Sequence, residues 1–147
     1  MKLFEPIAIR GMELKNRIIM PAMQLYIGLR NRRARAFYIE RARGGVGSMV
    51  TSGTSVDLFI SDEAWNQPGG AAAFREGVRR LVDEVHWCGA KIGMQLWHGN
   101  RFPQGMGMED TRGELVAPSA TDDKRALTVA EIKAIISRFA EAAARCR

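Results

Sequence analysis

Three short apolar runs, separated by amphipathic stretches, constrain this chain more than any other feature. Arg17-Ile18-Ile19-Met20, Val46 to Thr51, and Lys91-Ile92-Gly93-Met94-Gln95-Leu96-Trp97 do not alternate strictly between apolar and polar. Strands buried on both faces of a parallel sheet have this character. Helical periods lie between and after them. Ala34, Phe37, Tyr38 and Arg41 share one face of a helix expected over 34–42. Phe74, Val78, Leu81, Val82 and Val85 stripe a second, from about Ala72 to Trp87. Ile132, Ile135, Ile136, Phe139 and Ala143 stripe a third, which runs on to Arg147. Thr128 and Glu131 have capping-box spacing at its start. Strands alternating with helices predict an α/β fold, with a parallel sheet and crossover helices.

The opening reads as a hairpin. Ile7 and Ile9 precede Arg10-Gly11, and Met12 and Leu14 follow, alternating with polar neighbours. The expected organisation is a single partial domain over 1–147, with a hairpin over 1–16 and three β-α units over 17–147. An open doubly wound sheet fits that order as well as a barrel does. A closed eight-unit barrel takes roughly 250 residues, so 147 residues hold about half of one. Two long connections, Ser52 to about Gly70 and His98 to about Leu127, are rich in Gly, Pro and polar residues. Connections of that length in a compact domain tend to carry function.

Several classes are disfavoured. Glu5 and Pro6 interrupt the first apolar stretch, so no signal peptide is expected. No apolar run approaches the ~20 residues of a membrane span. Cys88 and Cys146 form no CxxC pair, which suits a reduced, cytoplasmic protein. Two histidines and two cysteines are too few for a zinc site around His86 and Cys88, and no metal is expected. The net charge of +6 owes much to Arg30, Arg32, Arg33 and Arg35. Without interleaved aromatics this run suits a solvated loop and helix start better than a nucleic-acid surface. A further reading is that these arginines offset the phosphates of a cofactor or substrate. Gly44-Gly45-Val46-Gly47 follows a helix and opens a strand, the reverse of a phosphate-binding loop, and reads as a helix stop.

The C-terminal ends of the three strands are the informative places, because in a barrel they form the active-site face. They read Pro21-Ala22-Met23-Gln24-Leu25-Tyr26, Thr51-Ser52-Gly53-Thr54 and Gln95-Leu96-Trp97-His98. Small Ala22, Ser52 and Gly53 let a flat ring approach the backbone, and Gln95 offers both a donor and an acceptor. Tyr26 and Trp97 add apolar faces with polar tips. Gln95 could equally serve only to satisfy loop amides.

Taken in order, the motifs resemble the old yellow enzyme family. The matching segments begin with Leu3-Phe4-Glu5-Pro6, Leu14-Lys15-Asn16-Arg17-Ile18 and the strand ending in Met23. Tyr38-Ile39-Glu40-Arg41-Ala42, Gly44-Gly45-Val46-Gly47 and Gly53-Thr54 follow. Gly89-Ala90-Lys91-Ile92, Gln95-Leu96-Trp97-His98 and Arg101 come next, then Ala117-Pro118-Ser119 and Arg125-Ala126-Leu127-Thr128. The resemblance implies the N-terminal half of a (β/α)8 TIM barrel that binds FMN without a covalent bond. It implies reduction by NAD(P)H and hydride transfer to an activated, electron-poor alkene. Carried over by position, Ala22 and Met23 lie beside the flavin ring, Gly53 reaches it through its backbone, and Gln95 bonds its pyrimidine edge. Gln24 stands where relatives often carry threonine or cysteine, and Tyr26 and Trp97 match substrate-pocket positions. The family's paired histidine/asparagine, its proton-donating tyrosine and its FMN-phosphate residues match nothing here. Catalytic residues are therefore expected beyond Arg147, and the isolated chain is expected to be inactive. Two open sheet edges and an apolar inner face through Ile19, Val50 and Met94 lead to an expected partner, a second copy or a separate C-terminal half-barrel. The alternative is a non-catalytic half-barrel or split-enzyme subunit that acts as a protein-interaction module.

Overall fold

A computed structural model describes residues 2–25, 27–56, 70–99, 101–102 and 114–146. The chain divides into two compact units, Met1–Gly53 with Ala72–Gln95, and Thr54–Ala71 with Leu96–Arg147.

The first unit opens with the expected hairpin. Strands β1 (Ile7–Ile9) and β2 (Met12–Leu14) pair antiparallel, with Ile7 opposite Leu14. Arg10 and Gly11 make the turn with positive φ (48° and 85°). A three-stranded sheet follows in the order β3 (Ile19–Met20), β4 (Ser48–Ser55), β5 (Lys91–Trp97). Strand β3 runs parallel to β4, with Ile19 opposite Ser48 and Met20 opposite Met49. The Lys91 amide donates to the Gly47 carbonyl at 3.0 Å, so β5 starts level with β4.

Helices α1 (Arg32–Arg43) and α2 (Gly70–Trp87) make the crossovers. Asn31 caps α1 by accepting the Arg33 amide at 2.8 Å. Gly44 and Gly45 end it, Gly45 with φ 98°, as the sequence predicts. Ala34, Tyr38 and Ala42 of α1, Phe74, Leu81 and Val85 of α2, and Met49 of β4 are buried and form the core. Helices cover one face of these strands, whereas their unalternating apolar runs predict cover on both.

Strand β5 corrects one expectation. Its exposed positions are Gly93 and Gln95, while Ile92 and Met94 are half-buried. Side chains alternate between faces along a strand, so Gln95 looks onto the uncovered face and Met94 does not. Ile19 is half exposed and Val50 half-buried, in keeping with a sheet covered on one side only.

The second unit holds a sheet the sequence does not reveal. The expected loop from His98 to Leu127 instead contains β6 (Arg101–Phe102), β7 (Glu114–Ala117) and β8 (Arg125–Ala126). Strand β7 pairs antiparallel with β6 and parallel with β8. Segments of two to four residues are too short for a two-residue period to show. Helix α3 (Val129–Arg145) carries the expected capping box: Thr128 Oγ1 accepts the Glu131 amide at 3.3 Å, and Glu131 accepts the Thr128 amide at 2.8 Å. It ends at Arg145, capped by Cys146, not at Arg147. Its apolar stripe stays largely uncovered: Val129 is 68% exposed and Ile136 61%.

Arg125 ties this unit together. Its guanidinium donates to both Glu131 oxygens (2.8 and 2.6 Å) and to Glu114 at 2.5 Å. Hydrogen bonds from Arg125, then from the Thr128 backbone, hold the Glu131 carboxyl down at about 2, below its usual 4.5. A depressed carboxylate stabilises the fold above its unfolded value and loses that contribution as pH falls through the folded one. The cap's contribution is thus complete above pH 4.5 and fades toward pH 2. Thermal melts followed by circular dichroism should show wild type losing more stability than Glu131→Gln across that interval. Parallel pH profiles would count against the network.

Candidate functional site

Two buried polar links shape the ends of β3 and β4. Asn16, 8% exposed, donates from Nδ2 to the Gly45 carbonyl (2.7 Å) and accepts the Ile18 amide at Oδ1 (3.1 Å). It fixes the helix stop to the residues entering β3, and Gly47 passes close against it. A Cβ built at Gly47 would stand 2.6 Å from both the Asn16 carbonyl oxygen and Oδ1. Glycine is required here by close approach, not by backbone conformation.

Tyr38 makes the second link. Fully buried on α1, its hydroxyl accepts the Ser52 amide at 2.7 Å and lies 3.1 Å from Ser52 Oγ. Ser52 is 5% exposed. The sequence groups Ser52 with Ala22 and Gly53 as a small residue facing a ligand; its polar atoms are instead engaged by Tyr38. That engagement sets the position of Gly53, the next residue along β4. Neither Tyr38 nor Asn16 stands out in the sequence as a positioning residue, because only the tertiary contact reveals it. A tyrosine on the inward face of the expected helix is the one available signal, since a buried hydroxyl needs a partner.

Ala22 is half-buried, Met23 is 49% exposed, and Gln24 is exposed, all just past β3. Gly53 is half-buried near the end of β4, and Gln95 is exposed near the end of β5. Since β3, β4 and β5 are hydrogen-bonded neighbours, the structure carries these five residues toward the same edge of one sheet. Trp97, the last residue of β5, is half-buried and falls in the second unit. Tyr26 lies outside the described residues.

The chemistry of this edge fits a planar, polar-rimmed ring. Gly53 has no side chain to obstruct it, Ala22 offers a methyl, Met23 a polarizable apolar surface, and Gln95 an amide able to donate and accept. None of the five titrates or carries charge, so the edge can hold and orient but cannot supply acid–base chemistry. Among the described residues no cluster of His, Cys, Asp or Glu could hold a metal ion. No described helix is long and apolar enough to cross a membrane.

Residues 2–147 match the model of the NADH:flavin oxidoreductase / NADH oxidase family. The chain is 38% identical over 160 aligned positions to an NADPH dehydrogenase from Clostridium acetobutylicum, covering 99% of this chain and 44% of that protein. It is 33% identical to an NADPH dehydrogenase from Bacillus subtilis, covering 99% and 45%. Among solved structures it resembles the old yellow enzyme homologue from Zymomonas mobilis, with a TM-score of 0.66 and 26% identity over 98% of this chain and 44% of that one. Histamine dehydrogenase from Rhizobium sp. 4-9 gives a TM-score of 0.74 and 26% identity, over 98% of this chain and 22% of that one. The chain spans less than half the length of the curated relatives it matches.

Proposed function

The chain belongs to the NADH:flavin oxidoreductase / NADH oxidase family, that of the old yellow enzymes, and from that premise we propose that it forms the first part of an FMN site. The whole enzyme would reduce activated C=C bonds at the expense of NAD(P)H. One observation carries this: Gln95 stands exposed on the uncovered face of β5, beside a β4 end that presents Gly53. A glutamine serving only to satisfy loop amides would be turned into the loop.

FMN, when bound, supplies the carrier that takes a hydride from NAD(P)H and gives it to an electron-poor alkene. This chain's residues hold and orient. Gln95 donates to and accepts from the polar edge of the ring, and Gly53 admits close backbone approach. Ala22 and Met23 cover the ring's apolar surface and exclude water. Gln24 is a neutral polar neighbour where relatives often carry threonine or cysteine. Ala22, Met23, Gln24, Gly53 and Gln95 include no cation and no group that ionises near neutral pH.

A second reading concerns partners. Val129, Ile132 and Ile136 of α3 are 68%, 39% and 61% exposed, an apolar stripe that the described residues leave largely open. A second copy or a C-terminal half-barrel would cover it, through an interface above ~2,000 Å² of the obligate kind. Size-exclusion chromatography with light scattering and visible-absorbance detection tests both readings on FMN-treated protein. Flavin bands eluting with protein of mass above 16.3 kDa are expected. A flavin-free peak contradicts the cofactor site, and a 16.3 kDa monomer contradicts the pairing.

A further inference from the structure

We propose that Arg30, Arg35 and Arg80 form a binding site for a phosphomonoester anion where the start of α1 meets α2. Among the described residues, the three line a cavity of about 270 Å³ with a single carboxylate, Glu76. Gly77 makes the room: a Cβ there would come within 3.1 Å of Arg30 Cγ, so the Arg30 stem lies closely against α2 at this position. Helix α1, twelve residues long, has no acidic residue in its first turn, and its positive end lies beside Arg30.

The pairings of Arg35 and Arg80 leave their charge open to a ligand. Arg80 Nε contacts Glu76 at 2.9 Å and Arg35 Nε contacts Glu84 at 3.6 Å, with every partner's side chain more than one-third exposed. Such wet pairs hold weakly. A phosphomonoester brings close to two negative charges and three acceptor oxygens, and guanidiniums grip it in pairs of parallel hydrogen bonds. It would draw Arg80 away from Glu76. Single-stranded nucleic acid is the poorer ligand, because it needs free aromatic faces to stack on. Phe37 is instead covered by Arg41, whose Cζ lies 3.3 Å from the ring centroid, and Tyr38 is fully buried.

The phosphomonoester could be free phosphate or the 2′-phosphate of a dinucleotide. Isothermal titration calorimetry of the FMN-free chain with inorganic phosphate, NADPH and NADH separates these sources. Saturable phosphate binding is expected, weakened at least tenfold in Arg80→Gln and tightened severalfold in Glu76→Gln, which removes the competing carboxylate. Both substitutions lie on an exposed helix face, so circular dichroism should show an unchanged fold. NADPH binding more tightly than NADH, with the difference lost in Arg80→Gln, assigns the 2′-phosphate. Equal binding of the two dinucleotides, with phosphate binding still sensitive to Arg80, assigns free phosphate. Phosphate binding that is absent, or indifferent to both substitutions, overturns the site.

Discussion

Supplied with FMN, NADPH and 2-cyclohexenone, the 147-residue chain should turn over at least about 10⁴-fold more slowly than an ene-reductase that has both an oriented electrophile and a proton donor. The size of the deficit follows from what the sheet edge contains. Reducing an enone requires a group to stabilise charge developing on the carbonyl oxygen and a group to protonate the adjacent carbon. Removing one preorganised electrostatic donor typically costs about 10²–10³ in rate, and a general acid contributes about 10²–10⁴. Ala22, Met23, Gln24, Gly53 and Gln95 include neither a cation nor a group that ionises near neutral pH. They can align a ring and an alkene, which raises effective concentration without lowering the barrier for proton transfer. Steady-state NADPH consumption, corrected for reaction with oxygen, measures the difference. Enone-dependent rates within tenfold of such an ene-reductase would put the missing groups within residues 1–147.

Gly47→Ala is the substitution expected to damage the fold most. The added methyl falls 2.6 Å from the Asn16 carbonyl oxygen, which belongs to the backbone and cannot swing away. It also falls 2.6 Å from Asn16 Oδ1. Relief requires moving a nearly buried asparagine that holds both the Gly45 carbonyl and the Ile18 amide. Overpacking and unsatisfied buried polar groups each cost about 1–3 kcal/mol, giving about 2–6 kcal/mol together. That is a large share of the roughly 5–15 kcal/mol that stabilises a domain. The matched control is Gly28→Ala, where an added Cβ meets nothing within 4 Å and φ is not left-handed. Urea midpoints should fall sharply for the first variant and hardly at all for the second. Equal midpoints would mean that the Asn16 link is loose.

Much of this was legible in the residues. The three apolar runs became β3, β4 and β5, and the Thr128–Glu131 spacing became an observed capping box. Both signals are local, a run of one polarity or two side chains a single turn apart, and local chemistry decides them. Strands β6, β7 and β8 were not legible, because their residues become strands only when brought beside one another. The face of β5 was misjudged for a related reason. Gly93 is apolar by type but has no side chain to bury, and Met94 and Gln95 exchange faces with a shift of one residue. Ser52 was read as small and available, yet its availability depended on Tyr38, fourteen positions away. The candidate residues were nameable from the sequence, whereas the contacts that position them came from packing.

FMN titration of wild type against Gln95→Leu tests the proposed site most directly. Both proteins would be followed by quenching of flavin fluorescence, with circular dichroism confirming that the exposed substitution leaves the fold intact. Leaving the polar edge of a bound ring unpartnered costs about 1–3 kcal/mol, so the dissociation constant should rise at least about fivefold. Saturable binding by wild type and that weakening in Gln95→Leu is the expected result. No saturable binding by wild type, or the same dissociation constant for both, would contradict a flavin site at the ends of β3, β4 and β5.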